Sequence, residues 1–450
     1  MKIPFAKVDC SGNELKYVQE VLASGWLTTA GKTLELERRF AAAVGARHAC
    51  AVNSCTAALH LALEAIGIGP GDKVLVPTLT FTATAEVIRY LGADPVFVDV
   101  DYRTGLMTPE ILDAALTREP GIKAVMVVHF GGQAAQMTGD NLARPAGASQ
   151  RSNAIPAKDS STRPGPLPVM KPLEVGLDQS HGVMHPYLDS PPGADAGILA
   201  VCQRHGVRVI EDAAHAFPTR LNGRMVGSFG DVTCFSFYAN KTITTGEGGM
   251  LVTDDEAIHR RVKTMRLHGI NRDIWDRFTN TQASWEYDVV APGFKYNMPD
   301  ITAAIGLAQL ERAETMRAER QRCFEYYTSH LAGVDGVDLS MIRGSLDDHS
   351  CHLFWLVLKT SAAISRNQLI ERLGTAGIGT SVHYKPLHRM TYYRERYQLR
   401  AERFPNAERH WRGCVSLPVY PGLSNGELEF VVDEVRQALG AGKPDLKGAA

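Results

Sequence analysis

The feature that most restricts this chain is a series of short, almost wholly apolar runs: KVLVP (73–77), DPVFVDV (94–100), KAVMVVHF (123–130), VRVIED (207–212), DVTCFSF (231–237) and GMLVTDD (249–255). A strand with one wet face alternates apolar and polar residues, whereas a strand covered on both faces has no polar side to show. Helical patterns lie around these runs, at 36–44, 56–67 and 256–267. Buried strands alternating with helices predict an α/β layer structure with a mainly parallel sheet. Polar residues sit where the runs end, at the edge where an open α/β sheet places its ligand.

From about Met298 a long helical pattern, ITAAIGLAQLERAETMRAERQRCFEYY, leads away from the sheet, followed by the strand CHLFWLVL (351–358) and helices near 365–375 and 425–438. The expected division is a large domain, 1–297, and a smaller C-terminal α+β domain, 298–450. The segment 138–193 breaks the pattern, because it holds nine of the chain's 23 prolines among many Ser, Gly and Asp residues. Such a composition buries too little apolar surface to build a layer. It reads as a long excursion. The plain reading is a tolerated surface insertion; the sharper one, a lid or contact arm, rests on its departure just after a strand's C-terminal end.

Charge narrows the partners. The 48 basic residues nearly balance the 49 acidic ones and form no dense tract, so neither a nucleic-acid backbone nor an anionic membrane is expected, and a small-molecule partner is. The N-terminus MKIPFAKVDC lacks the charged and apolar regions of a signal peptide, and no segment approaches a membrane span, which predicts a cytoplasmic protein. The eight cysteines include no CxxC pair, which fits buried reduced thiols better than disulfides or a metal site.

Lys241, in FSFYANKTITTGEGGM, stands just beyond one strand and before a Gly-rich turn into the next. Taken alone it would be an exposed lysine; at a desolvated sheet edge it becomes an amine able to form an imine. Asp212 ends VRVIED, where its carboxylate could keep a pyridine nitrogen protonated. His215, three residues on, is either a satisfied core histidine or a group beside the same ring. Cys55 and Thr56 open a helical pattern and would offer N–H groups and a hydroxyl to a phosphate, with Ser236 adding a second hydroxyl. A plain N-cap is the bland alternative. Phe81, in PTLTFTAT, is placed to stack on a ring, although a lone aromatic is more often core.

Together these residues resemble the DegT/DnrJ/StrS-type sugar aminotransferases, a branch of the fold type I enzymes that use pyridoxal 5′-phosphate (PLP). The matching stretches are SGWLTT (24–29), NSCTAALHLAL (53–63), PTLTFTATA (77–85), VHFGGQAAQM (128–137), VIEDAAHA (209–216), FSFYANKTITTGEGGML (235–251), GFKYNMPDITAAIGLAQL (293–310) and GIGTSVHYKPLH (377–388). They run in family order over nearly the whole chain except 138–193. The resemblance implies that PLP is held as a Schiff base on Lys241, which also shuttles the proton. Asp212 would face the pyridine nitrogen, His215 the phenolic oxygen and Phe81 the ring, while Cys55, Thr56 and Ser236 hold the phosphate. It further implies a homodimer in which Asn297 reaches the partner's cofactor phosphate. Trp26, Thr28, Thr29 and His383 would border the substrate.

The implied reaction is a ping-pong transfer of an amino group from L-glutamate to a keto sugar, most simply a nucleotide-linked 4-keto sugar. Three rivals are a sugar dehydratase of the same family, in which histidine replaces the lysine; a lyase or desulfurase, which needs a reactive loop cysteine; and a catalytically idle scaffold. Two departures from the family stand out. The chain reads SGWLTTAG where relatives often read SGWLTTGP, and it inserts 138–193 where relatives continue directly into the next helix.

Overall fold

A computed structural model describes residues 1–139, 197–271, 287–340, 342 and 345–441. The expected excursion lies outside these residues, apart from its first two positions. The described residues on either side of it nevertheless meet. Ile198 and Leu199 donate their N–H groups to the carbonyls of Gln136 and Met137 at 2.9 and 3.0 Å, so the chain resumes beside the point at which it left.

The large sheet has seven strands: β1 (His48–Val52), β2 (Lys73–Pro77), β3 (Asp94–Val98), β4 (Ile122–Val128), β5 (Arg208–Asp212), β8 (Val232–Ser236) and β9 (Gly249–Thr253). Between β5 and β8, a two-stranded ribbon pairs β6 (Arg220–Leu221) with β7 (Arg224–Met225). The large sheet's order is β1-β9-β8-β5-β4-β2-β3. Strands β3, β2, β4, β5 and β8 are parallel neighbours, as the apolar runs predicted.

Strand β9 differs: it is antiparallel to both β8 and β1. An apolar run reports burial, not direction. The connection 237–248 contains no helix, so it cannot carry the chain back across the sheet and instead returns it alongside β8. The Ala-rich β1, HACAV, was not foreseen as a strand, since its small residues have weak strand preference.

The helices expected at 36–44, 56–67 and 256–267 are Gly31–Val44, Cys55–Ala65 and Glu256–Met265. The long pattern after Met298 divides at Arg312 into Asp300–Glu311 and Ala313–Leu331. The C-terminal region has a three-stranded antiparallel sheet of β10 (Val337–Asp338), β11 (Phe354–Leu358) and β12 (Cys414–Leu417), with helices Arg366–Thr375 and Asn425–Ala438 each started by a Ser capping box.

Two segments cross the division at 297/298. Ile3 packs in the C-terminal core and donates its N–H to Gly377, while Ala303 and Leu307 pack with Leu36 and Phe40 beside the large sheet. All eight cysteines are free thiols, and all but Cys10 are buried. Among the described residues no helix is long and apolar enough to cross a membrane.

Candidate active site

The C-terminal edge of the parallel strands gathers most of the residues singled out by sequence. Asp212 is the last residue of β5 and is buried. Its backbone is held on both sides, with Val128 opposite on β4 and Cys234 opposite on β8. Its Oδ2 accepts the Thr84 hydroxyl at 2.8 Å and its Oδ1 the Ala214 N–H at 3.2 Å. Burial pushes its pKa up, and those two donors and the Lys241 charge oppose the rise. Thr84 was not singled out from the sequence, where a helical threonine has no special mark.

Lys241 follows β8 in a loop pinned by buried threonines. The Thr244 hydroxyl donates to the Phe237 carbonyl at 3.0 Å, the Thr242 hydroxyl to the Phe217 carbonyl, and the Lys241 N–H to the Tyr238 carbonyl at 2.9 Å. Burial pushes the Lys241 amine down to about 8, against the pull of Cys55 and Asp212. Those two groups and the amine are therefore within electrostatic reach of one another. An amine near that value is neutral in about a tenth of molecules at neutral pH, far more than an ordinary lysine, and the neutral form is the one that attacks a carbonyl.

Helix Cys55–Ala65 starts beside this amine. Ser54 caps it, taking the Ala57 N–H on Oγ at 3.0 Å and the Ala58 N–H on its carbonyl at 3.1 Å. The N–H groups of Cys55 and Thr56 remain at the open first turn, which suits an anion. Gly249 explains the Gly-rich turn: a Cβ there would stand 2.6 Å from the Cys55 nitrogen. Gly249 also pairs with Ser236, so two of the three expected phosphate contacts, Cys55 and Ser236, lie against one glycine. Burial, followed by the nearby Asp212 charge, holds the Cys55 thiol well above its ordinary pKa, which leaves it unsuited as a nucleophile.

Phe81 is 55% exposed, free to offer a ring face, and its centroid is 5.7 Å from that of Tyr384. His215 is buried; its Nδ1 accepts the Gly131 N–H at 3.1 Å and its Nε2 lies 3.0 Å from Tyr384 Oη. His383 is buried on Ser416 at 2.9 Å, and burial and then the Lys241 charge push its pKa down to about 3.

Asn297 bridges to Val52, receives the Lys295 ammonium on Oδ1 at 2.6 Å and donates to Thr29 Oγ1 at 2.7 Å. It thus ties the Trp26–Thr29 stretch to the end of β1, just ahead of helix Cys55–Ala65, within one chain. Asp300, also unmarked in the sequence, anchors that segment by accepting the N–H groups of Ala30, Lys32 and Thr33 at 2.7, 3.0 and 2.9 Å. Trp26 is half-buried and Thr28 exposed along the same stretch.

Among the described residues one further group of ligand-type side chains, His48, Glu256 and His259, lies at the opposite sheet edge, where β1 begins and β9 ends. An ion pair of 3.1 Å between His48 and Glu256 accounts for its closeness.

A model of the DegT/DnrJ/EryC1/StrS aminotransferase family matches residues 9–144 and 195–436, and the interruption falls on the Pro-rich segment. Spore coat polysaccharide biosynthesis protein SpsC of Bacillus subtilis is 39% identical over 438 residues, covering 96% of each chain. A Streptococcus pneumoniae protein described as a sugar aminotransferase, Spr1654, superposes in its PLP form with a TM-score of 0.77 at 27% identity, covering 98% of this chain and 99% of that one. DesV of S. venezuelae, in complex with a ketimine intermediate, superposes with a TM-score of 0.73 at 26% identity, covering 97% and 98%.

Proposed function

The chain belongs to the DegT/DnrJ/EryC1/StrS aminotransferase family and is accordingly a PLP-dependent transaminase of sugar chemistry, and we propose that it moves an amino group from L-glutamate to a nucleotide-linked keto sugar, at carbon 4. In this reading Lys241 is the amine that carries the cofactor, and Asp212 faces its pyridine nitrogen. The N–H groups of Cys55 and Thr56, with the Ser236 hydroxyl, hold the phosphate, and Phe81 covers the ring. Asn297 contributes to the partner's phosphate site in a homodimer. Trp26, Thr28, Thr29 and His383 border the sugar.

The observation that carries the reading is the meeting of an amine with a lowered pKa, a buried carboxylate and a helix N-terminus whose first two N–H groups are left open by its Ser54 cap, all at one sheet edge. This set matches the three chemically distinct ends of PLP: an aldehyde, a pyridine nitrogen and a phosphate. Bound PLP supplies an electron sink for the carbanion formed at the donor's α-carbon. Asp212 keeps the sink protonated. The Lys241 amine would move the proton between the substrate carbon and the cofactor's C4′ in both half-reactions. The raised pKa of the Cys55 thiol weighs against desulfurase chemistry, and a lysine at 241 weighs against dehydration.

Borohydride reduction of the purified holoenzyme should fix the cofactor to the peptide that contains Lys241. Label on any other residue overturns the assignment. Glutamate with a panel of nucleotide keto sugars should release 2-oxoglutarate and an amino sugar; release only with free sugars defeats the nucleotide-linked reading.

A further inference from the structure

Gly131, with φ +70°, runs so close to Trp355 that a Cβ would stand 2.0 Å from its ring, so the backbone there approaches as only glycine allows. Its N–H donates to His215 Nδ1 at 3.1 Å. A ring nitrogen that accepts carries no proton. Burial, then the Lys241 charge, holds the His215 pKa well below its ordinary value, so the ring is neutral and its one proton sits on Nε2. Nε2 is 3.0 Å from Tyr384 Oη and therefore donates to it.

Tyr384 is left as an acceptor from His215 with its own O–H proton uncommitted, because no second polar partner lies against that oxygen among the described residues. Burial and the Asp212 charge keep the phenol protonated. The rings around it are those of Phe81, Phe130 and His383, at 5.7, 6.0 and 4.9 Å between centroids. Two further titratable groups complete the surroundings. Lys241 acts on His215 through its charge, and the buried, neutral His352 lies 4.6 Å from the His215 ring with its Nδ1 lacking a hydrogen-bond partner. A donor beside the cofactor-facing Phe81, held in place from behind, is a group waiting for an acceptor on a ligand.

We propose that Tyr384 is an active-site residue that donates its hydroxyl proton to the phenolic oxygen of PLP, and that His215 acts behind it as the positioning residue. The inference rests on the reading that sets PLP between Lys241 and Asp212. It changes the part implied for His215, which orients the donor to that oxygen instead of bonding it directly.

An oxyanion that loses a donor becomes more basic and holds the neighbouring proton more tightly. Titrating the visible band of the Tyr384→Phe holoenzyme should therefore show it lost at a pH about one unit above the wild type. His215→Ala should move the midpoint in the same direction, but add nothing in the Tyr384→Phe background, since its effect runs through the missing hydroxyl. An unmoved midpoint in Tyr384→Phe overturns the proposal, even if the KM for the sugar changes. A His215→Ala shift that persists without the hydroxyl also overturns it, because His215 would then touch the cofactor itself. If the wild type binds no PLP at Lys241, the cofactor reading fails instead, and the absent band distinguishes that result.

Discussion

Glu211 and Asp212 are adjacent carboxylates at the end of one strand, and the pleat turns them to opposite faces. Glu211 is fully buried and saturated. Its Oε1 accepts the Gly230 N–H at 2.6 Å and the Thr233 hydroxyl at 2.7 Å, and its Oε2 the His129 ring N–H at 2.8 Å. His129 is fixed as that donor because its Nδ1 accepts the Ala135 N–H at 3.0 Å. Asp212 has one donor per oxygen and a pKa raised by burial. One carboxylate closes the wall between sheet and helix layer; the other is held at the edge with capacity left for a ligand. Proximity in sequence says nothing about which is which, but the count of protein donors does.

The largest test of that contrast is Asp212→Ala, which should lower kcat by on the order of 1,000-fold while the fold persists, an effect of the size seen when a preorganised charge partner is removed. Near-normal turnover would place the electron sink's partner elsewhere. Asp212→Asn sharpens the point through stability. A carboxyl whose folded pKa lies above its unfolded value favours the protonated state: its stabilisation is complete below the unfolded pKa and is lost as pH rises through the folded one. The ionised group is then a burden on the apoenzyme at neutral pH. Asparagine should raise the apoenzyme's Tm there, with the advantage shrinking in acid, because Thr84 can accept from the new amide while donating to the Phe81 carbonyl, 3.1 Å away.

Glu211→Gln should behave in the opposite way. Its amide would turn two hydrogens toward groups that are themselves donors, leaving at least one buried polar group unsatisfied at a cost of about 1–3 kcal/mol. Urea unfolding should show that loss, while turnover per bound cofactor stays within about twofold, since the Glu211 side chain points to the sheet face opposite that of Asp212. A stable variant with impaired turnover would mean that Glu211 serves the site and the contrast is wrong.

Much of this edge was legible in the sequence. The apolar runs announced a buried parallel sheet, and Asp212, Lys241 and Cys55 could be placed at its rim because each follows or opens a strongly patterned element. What stayed hidden depends on contacts made across the chain. Thr84 reaches Asp212 over a separation of 128 residues and Tyr384 reaches His215 over 169, and neither has a local signature. Asp300 takes three backbone donors from the start of helix Gly31–Val44, 267 to 270 positions away. The reversal of β9 was hidden for another reason, since a strand covered on both faces has the same composition in either direction. The insertion marked itself by proline, and the meeting of Met137 with Leu199 shows why the sheet tolerates it: the chain leaves and returns at one point.

The smallest expected effect concerns Thr84, the side chain that hydrogen-bonds Asp212 among the described residues. Thr80 donates to the Thr84 hydroxyl at 2.7 Å when Thr84 donates to Asp212, so a short relay of hydroxyls orients the carboxylate. Thr84→Val keeps the shape and removes the donor. Because that hydrogen bond lowers the Asp212 pKa, its loss lets the value rise further, and the acid limb of the kcat/KM profile should move to higher pH. Turnover at neutral pH should fall by roughly five- to tenfold, the equivalent of about 1 kcal/mol for one hydrogen bond. An unmoved acid limb would show that Asp212 needs no help from the protein to stay ionised, and would narrow its difference from Glu211 to the bare count of donors.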